Sequence, residues 1–312
     1  MNDHERTGTV LVGYDGSPVA DEAIRWGVRE ALFRRLPLTV CHAWHWPYPL
    51  RQPDKDTLEV LRGAGAIVAD EGVRQAHGLA EGLDVRWRLE RGWASAVLLE
   101  ASREAALVVL GSRGHGGFEG LTVGSTAVQV ASHADRPVVV VRPDLPPAPQ
   151  GRERLVVGVD GSTGGESAIG FAFEEAALRG ASVTAVCSWW DPAAFRGPDR
   201  VPFSDPQVIR REARARFEED VAAWRSRYPR VPLETEFVVD TPRQALVGAA
   251  RDAALLVMGV RGIGSGPQTL LGPVTQAALL EAPCPVAVVP AERAGRRRAA
   301  ETAGASARGG TG

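Results

Sequence analysis

Cysteine is scarce in this chain: Cys41, Cys187 and Cys284 are the whole complement of 312 residues, with no C-x-x-C spacing among them. That usage points away from a disulfide framework or a thiolate metal site. The apolar runs around the thiols suit small buried hydrophobes, with Cys41 and Cys187 on the second strand of each half. No sign of charge dominates. The 36 Lys and Arg against 38 Asp and Glu give a formal net charge of −2, which argues against a nucleic-acid binder acting through bulk charge. The six histidines show no metal-ligand spacing. No apolar run approaches the roughly 18 residues of a membrane-spanning helix. The opening residues MNDHERTG are polar and lack the hydrophobic core of a signal peptide, so cytoplasm is the expected compartment. A P-loop of the form GxxxxGKS/T is absent, and no GxGxxG runs from a strand into a helix, which disfavours P-loop enzymes and dinucleotide folds.

What is present is glycine, placed with purpose. From Leu107 to Arg142 the chain reads as a buried strand, a glycine-rich loop, a short helix and a second buried strand at Val138 to Val141. Gly111, Gly114 and Gly124 punctuate the loop, and Ser125 and Thr126 follow at once. Glycine leaves backbone N–H groups free to converge, and the helix that follows offers unpartnered N–H groups and a dipole that favours an anion. The pattern is that of a phosphate cradle.

The chain writes this pattern twice. Gly259, Gly262 and Gly272 lie 148 residues after Gly111, Gly114 and Gly124, and Pro285 stands at the same offset from Pro137. Nearer the front, VGYDGS ending at Ser17 returns as VGVDGS ending at Ser162, 145 residues later. A repeat of that length means two like domains rather than a solenoid. The expected boundaries are 8–143 and 154–290, with a proline-rich linker over 144–153 and a disordered Arg, Ala and Gly tail over 291–312.

Within each half, unbroken apolar runs read as central parallel strands and the intervening periodic segments as helices. The first half gives strands at Val10 to Gly13, Leu38 to Ala43, Asp84 to Glu90, Leu107 to Leu110 and Val138 to Val141. Helices are expected after Ser17, over Thr57 to Ala80 and over Ala94 to Ala105, although Gly63, Gly65 and Gly72 weaken the second of these. The alternating third strand suits an edge. The second half repeats the order, with strands at 155–159, 182–188 and 233–239 and a strongly charged helix over Gln207 to Arg227. Each half is thus α/β, a five-stranded parallel sheet with helices on both faces, and its ligand crevice lies where strand order reverses. Trp44, Trp46, Trp189 and Trp190 recur after the second strand of each half, as a lid, an interface or plain loop packing.

Gly-x2-Gly-x9-Gly-Ser between an apolar strand and a helix, together with VGYDGS, HADRPVVVV and APCPVAVV, resembles the ATP-binding signature of the universal stress protein family. The resemblance spans nearly the whole chain between its tails and implies a tandem member with two Rossmann-like, adenine nucleotide alpha hydrolase-like domains. It implies ATP as cofactor, with or without magnesium. In the first half Gly13 would admit the nucleotide to the strand end and Asp15 would meet ribose or adenine. Ala43 would offer backbone to the adenine edge, Gly111, Arg113 and Gly114 would wrap the phosphates, and Gly124, Ser125 and Thr126 would hold the terminal ones. The matching positions of the second half are Gly158, Asp160, Ser188, Gly259, Arg261, Gly262, Gly272, Val274 and Thr275. There the family pattern breaks: Pro273 follows Gly272, which removes a hydroxyl and an N–H together. The first site is therefore expected to be stronger, and the second weak or selective for a shorter nucleotide.

The resemblance further implies that the last strands of the two halves pair as an internal pseudo-dimer, with a homodimer as a second level of association. A binding module with a regulatory role under stress is the reading expected, and no nucleic-acid or membrane partner. A slow ATPase at the same cradle is the alternative, but Glu119 is the one acid in either loop, and efficient hydrolysis needs a metal-holding acid and a residue to orient water. A structural dimer module with empty cradles is the third reading. His115 suits either phosphate contact or plain exposure.

Overall fold

The computed structural model describes residues 8–48, 52–116, 122–143, 152–189, 205–263 and 270–291. Glu119, Trp190, the linker over 144–151 and the tail over 292–312 lie outside the described residues. The first half runs β1 (Thr9–Gly13), α1 (Pro18–Arg34), β2 (Leu38–Trp44), α2 (Lys55–Leu79), β3 (Val85–Arg91), α3 (Ala94–Ser102), β4 (Ala105–Gly111), α4 (Ser125–His133) and β5 (Val138–Val141). The second runs β6 (Arg154–Gly158), α5 (Thr163–Arg179), β7 (Ser182–Ser188), α6 (Pro206–Arg227), β8 (Leu233–Val238), α7 (Pro242–Ala249), β9 (Leu255–Gly259), α8 (Pro273–Glu281) and β10 (Val286–Val289). The third helix stops at Ser102, short of the expected Ala105, because the chain must extend there to enter β4.

Local chemistry sets these boundaries. Ser17 begins α1, its Oγ accepting the Ala20 N–H, and Pro18 takes the first helical position, where no N–H is missed. Arg35, at φ 54°, turns the chain out of that helix. Ser162 and Gly180 repeat the arrangement around α5. The glycines that weakened the expectation for α2 prove to be packing residues. Gly65 and Gly72 are buried against the sheet, where close approach outweighs their low helix propensity.

All ten strands form one sheet in the order β3-β2-β1-β4-β5-β10-β9-β6-β7-β8. Every pairing is parallel except that between β5 and β10, where Val138, Val139 and Val140 face Val288, Ala287 and Val286 antiparallel. Each half thus contributes the five parallel strands expected, and the two last strands cover each other's edge. All four residues of β5 and of β10 are buried. The sheet faces hold separate cores. Val10, Val12, Leu155 and Val157 pack under α1, α2, α5 and α6, while Leu11, Val108, Val156 and Leu256 pack under α3, α4, α7 and α8.

An ion-pair quartet joins the halves over the first of those faces. Arg34 donates to Glu30 on its own helix and to Glu175 on the other half, and Arg179 returns the pattern to Glu175 at 3.0 Å and Glu30 at 2.5 Å. Glu30 and Glu175 are 1% and 0% exposed. Arg179 also lies over the Trp26 and Phe33 rings, and Arg34 over Phe171. Buried charges are tolerable here because each carboxylate receives two guanidinium groups. Arg179→Met, which strands two carboxylates on one arginine, is expected to lower the unfolding free energy by about 3–5 kcal/mol. Replacing all four charges with apolar side chains should cost much less, and urea denaturation followed by circular dichroism compares the two.

Candidate functional site

In each half the strand ends of the switch point meet as expected, and one carboxylate ties them together. Asp15 follows β1; its Oδ1 accepts the Ser17 N–H at 3.0 Å and its Oδ2 accepts the His115 N–H, from the loop after β4, at 2.9 Å. Asp160 does the same after β6, accepting the Ser162 N–H at 3.0 Å, the Ser162 hydroxyl at 2.6 Å and the Ile263 N–H at 2.8 Å. Gly114 and Gly262 make this clasp possible. A Cβ at Gly114 would sit 2.1 Å from Asp15 Oδ2, and one at Gly262 would sit 2.3 Å from Asp160 Oδ2.

Other expected site residues have packing reasons of their own. A Cβ on Gly13 would come within 2.5 Å of Leu110 Cδ2, and one on Gly158 within 3.1 Å of Met258 Sδ. A Cβ on Gly111 would meet the Val19 backbone at 3.1 Å, and one on Gly259 the Gly164 backbone at 2.8 Å, so these two let the first turns of α1 and α5 lie against the strand ends. The Gly124 N–H, expected at a phosphate, instead donates to the Ser112 carbonyl at 2.7 Å; the Gly272 N–H likewise donates to Val260 at 2.9 Å. Tethering the loop to the strand end takes precedence over leaving a donor free. Ser125 and Arg113 are exposed and Thr126 is half-buried at the start of α4. Arg261 is exposed and Val274 half-buried. Thr275 is 3% exposed, and its hydroxyl donates to the Gly259 carbonyl at 2.8 Å, so the hydroxyl left to the second loop is already engaged. Ala43, next to last in β2, and Ser188, last in β7, stand in register with β3 and β8, and the Ser188 hydroxyl donates to the Asp240 carbonyl at 2.6 Å.

A cavity of about 670 Å³ opens in the second half, within the range of roughly 300–1,000 Å³ that small-molecule sites occupy. Asp160, Gly262 and Gly272 line its strand-end wall, and Phe217, Arg216 and Asp220 of α6 line the wall opposite. The sequence marks α6 only as a strongly charged helix. The signal lay in Ile209, Ala213 and Phe217, an apolar stripe at four-residue spacing amid the arginines and glutamates. Desolvation, reinforced by Glu166 and Glu219, raises the Asp220 carboxyl above its usual range. Cys187, expected to be buried, is half-buried and lines this cavity. Its thiol is pushed up to about 11 by burial and by Asp160 and Asp220, so it faces the cavity as a neutral thiol. Cys41 and Cys284 are buried as expected, their thiols pushed up to about 11 and about 12.

The first half is shaped differently at the same place. A Cβ on Gly65 of α2 would lie 3.3 Å from the His42 ring and 3.5 Å from Trp44 Cβ, and one on Gly72 would lie 2.8 Å from Tyr14 Cδ1. Here α2 rests directly on the end of β2. Tyr14 is 4% exposed with its hydroxyl on Asp21 at 3.0 Å. The expected ranking of first site over second is drawn from the phosphate loop alone; at the other end of the crevice the second half holds the cavity, while in the first half α2 and Tyr14 pack against the strand ends.

A family model described as the universal stress protein family matches residues 7–142 and again 151–290. A universal stress protein of Mycobacterium tuberculosis (strain ATCC 25618 / H37Rv) is 35% identical over 288 residues, covering 89% of this chain and 96% of its own length. One from Mycolicibacterium smegmatis is 32% identical over 291 residues, covering 90% and 96%. Among solved structures, a universal stress protein from Archaeoglobus fulgidus superposes with a TM-score of 0.67 at 17% identity, covering 91% of this chain and 96% of that one. The Asp clasps give a direct test of the geometry. Gly114→Ala and Gly262→Ala are expected to destabilise by about 1–3 kcal/mol, the range for losing a hydrogen bond to a charged group. Gly63→Ala, where a Cβ meets nothing within 4 Å, should stabilise α2 by about 0.5–1 kcal/mol in the same thermal melts.

Proposed function

The chain belongs to the universal stress protein family, and we propose that it is a cytoplasmic adenine-nucleotide-binding protein with a regulatory role in stress response. The observation that carries this reading is the cavity of about 670 Å³ at the second switch point, lined by the Asp160 clasp and by the start of α8. Its walls divide by chemistry. Trp189, Phe217, Leu246 and Met258 suit a planar base, carboxylates suit sugar hydroxyls or an exocyclic amine, and helix N–H groups suit phosphate. The first half keeps the fuller phosphate loop, with Ser125 and Thr126 opening α4, so triphosphate grip favours it as the sequence expects.

Binding rather than turnover fits the residues at the phosphate ends. The described residues at the starts of α4 and α8 are Gly124, Ser125, Thr126, Gly272, Pro273, Val274 and Thr275, none of them an acid, whereas efficient phosphoryl transfer relies on an acid that holds a metal and a group that orients water. Magnesium would travel with ATP as part of the ligand. Nucleotide occupancy would alter which partner the protein meets, a second copy of this chain among them.

Isothermal titration of the intact protein with ATP, ADP and AMP tests the reading. Saturable binding is expected, with Asp15→Ala and Asp160→Ala each weakening its own half by about tenfold or more, the worth of one charge-assisted hydrogen bond. Phosphate release from ATP should stay at the buffer rate. No binding of any adenine nucleotide would sink the proposal in favour of a purely structural module.

A further inference from the structure

We infer that the second half is a nucleoside monophosphate site: it admits base and sugar but grips one phosphate rather than three. The inference rests on the adenine-nucleotide reading above and assigns that site its ligand class. It follows from two differences between the halves, one at each end of the crevice.

The first difference is room at the base end. In the first half the helical glycines at 65 and 72 let α2 settle on β2, and the buried Tyr14 ring lies against Gly72. α6 contains no glycine. Its inward face carries Phe217 and Trp224 instead; Trp224 stacks on Phe173 of α5, with ring centroids 6.5 Å apart, and presses on Gly170, where a Cβ would lie 2.7 Å from the indole. These side chains hold α6 off the strand ends. Val159 stands where the first half has Tyr14, and Cys187 where it has His42. The space so released is the cavity, with Trp189 and Phe217 each packed 6.4 Å from Phe237 at its aromatic end.

The second difference is reach at the phosphate end. Pro273 takes the first position of α8, so the N–H that Ser125 presents at the first position of α4 has no counterpart. The hydroxyl of Ser125 is lost with it. Thr275 does not substitute, because its hydroxyl is bonded to the Gly259 carbonyl. Only the N–H groups of Val274 and Thr275 remain at the helix start to meet an anion. A single phosphate satisfies that pair. A triphosphate brings further charge with no additional donors from this helix, and the charged side chains lining the same cavity are three acids, Asp160, Glu212 and Asp220, against two arginines, Arg216 and Arg261.

The experiment uses the intact chain, titrated separately with AMP and with ATP, with hydrogen–deuterium exchange to locate each ligand. AMP is expected to protect 205–220 and 255–263, to shield Cys187 from a small alkylating reagent, and to bind there at least as tightly as ATP. Pro273→Ser restores a donor and a hydroxyl, and should tighten ATP at this site about tenfold while moving AMP less than twofold. Ala213→Trp, which fills the cavity from α6, should abolish AMP protection. Protection by AMP confined to α2 and the β1 loop would overturn the inference. So would ATP binding the wild-type second half tenfold or more tighter than AMP. Either result leaves the nucleotide-binding reading standing, whereas absence of binding by both ligands fails that reading itself.

Discussion

A carboxylate at the end of the first strand of each half holds two loops at once, and the shape of both crevices depends on it. Asp15 and Asp160 each accept an N–H from their own turn and another from the loop after the fourth strand of the half. The two strands neighbour each other in the sheet, and the clasp fixes the distance between the loops that leave them. A charged acceptor with two or three donors is satisfied at a partly open site, where a neutral one would be replaced by water. The constraint passes down the chain. Only glycine fits opposite each carboxylate, only a small residue fits where Val19 and Gly164 approach the strand end, and the start of the following helix is positioned by what remains.

Two such crevices in one polypeptide need not do the same work, and the helix over the second strand decides how they differ. Glycine in α2 gives up helix propensity of about 1 kcal/mol each and gains direct contact with the sheet. The aromatic residues of α6 keep propensity and bury their rings against α5 instead. Both helices cover the same face and contribute to the same core, yet α2 lies close on the end of β2 while α6 forms one wall of a cavity. The buried quartet of Glu30, Arg34, Glu175 and Arg179 joins the halves across that face, so α1 and α5, which carry both clasp turns at their starts, are tied to each other.

Much of this was legible in the residues. Apolar runs gave the strands, the alternation of Asp84 to Glu90 marked an edge that the sheet order bears out, and Ser17 with Pro18 announced the start of α1. The pairing of the last strands of the two halves came from the family resemblance rather than from the residues, and β5 and β10 do pair. The clasp was half-visible: Asp15, Gly114, Asp160 and Gly262 were all singled out, but as ligand contacts, because spacing along a chain does not show that a carboxylate and a glycine 99 residues later share one point in space. The quartet was invisible. Glu30 with Arg34 at four residues is the pattern of an ordinary exposed helix pair, and only its repetition at Glu175 and Arg179, at the domain offset, distinguished it. The cavity wall on α6 was masked by arginine and glutamate at the flanking positions of a narrow apolar stripe.

Pro273 shows how the same residue changes meaning with its surroundings. Against a signature it is a defect, a missing hydroxyl and a missing N–H. In the structure it is a good residue for its place: φ is already fixed for the first helical position, Gly272 still ties the loop to Val260, and Thr275 anchors the first turn to the strand end. Nothing in the fold is weakened by it. What it withdraws is one donor and one hydroxyl at the start of α8, beside a cavity with room for a base. A loop that loses donors while its neighbouring cavity is held open is narrowed in what it accepts, and under the nucleotide-binding proposal α6 and α8 together would select by phosphate number.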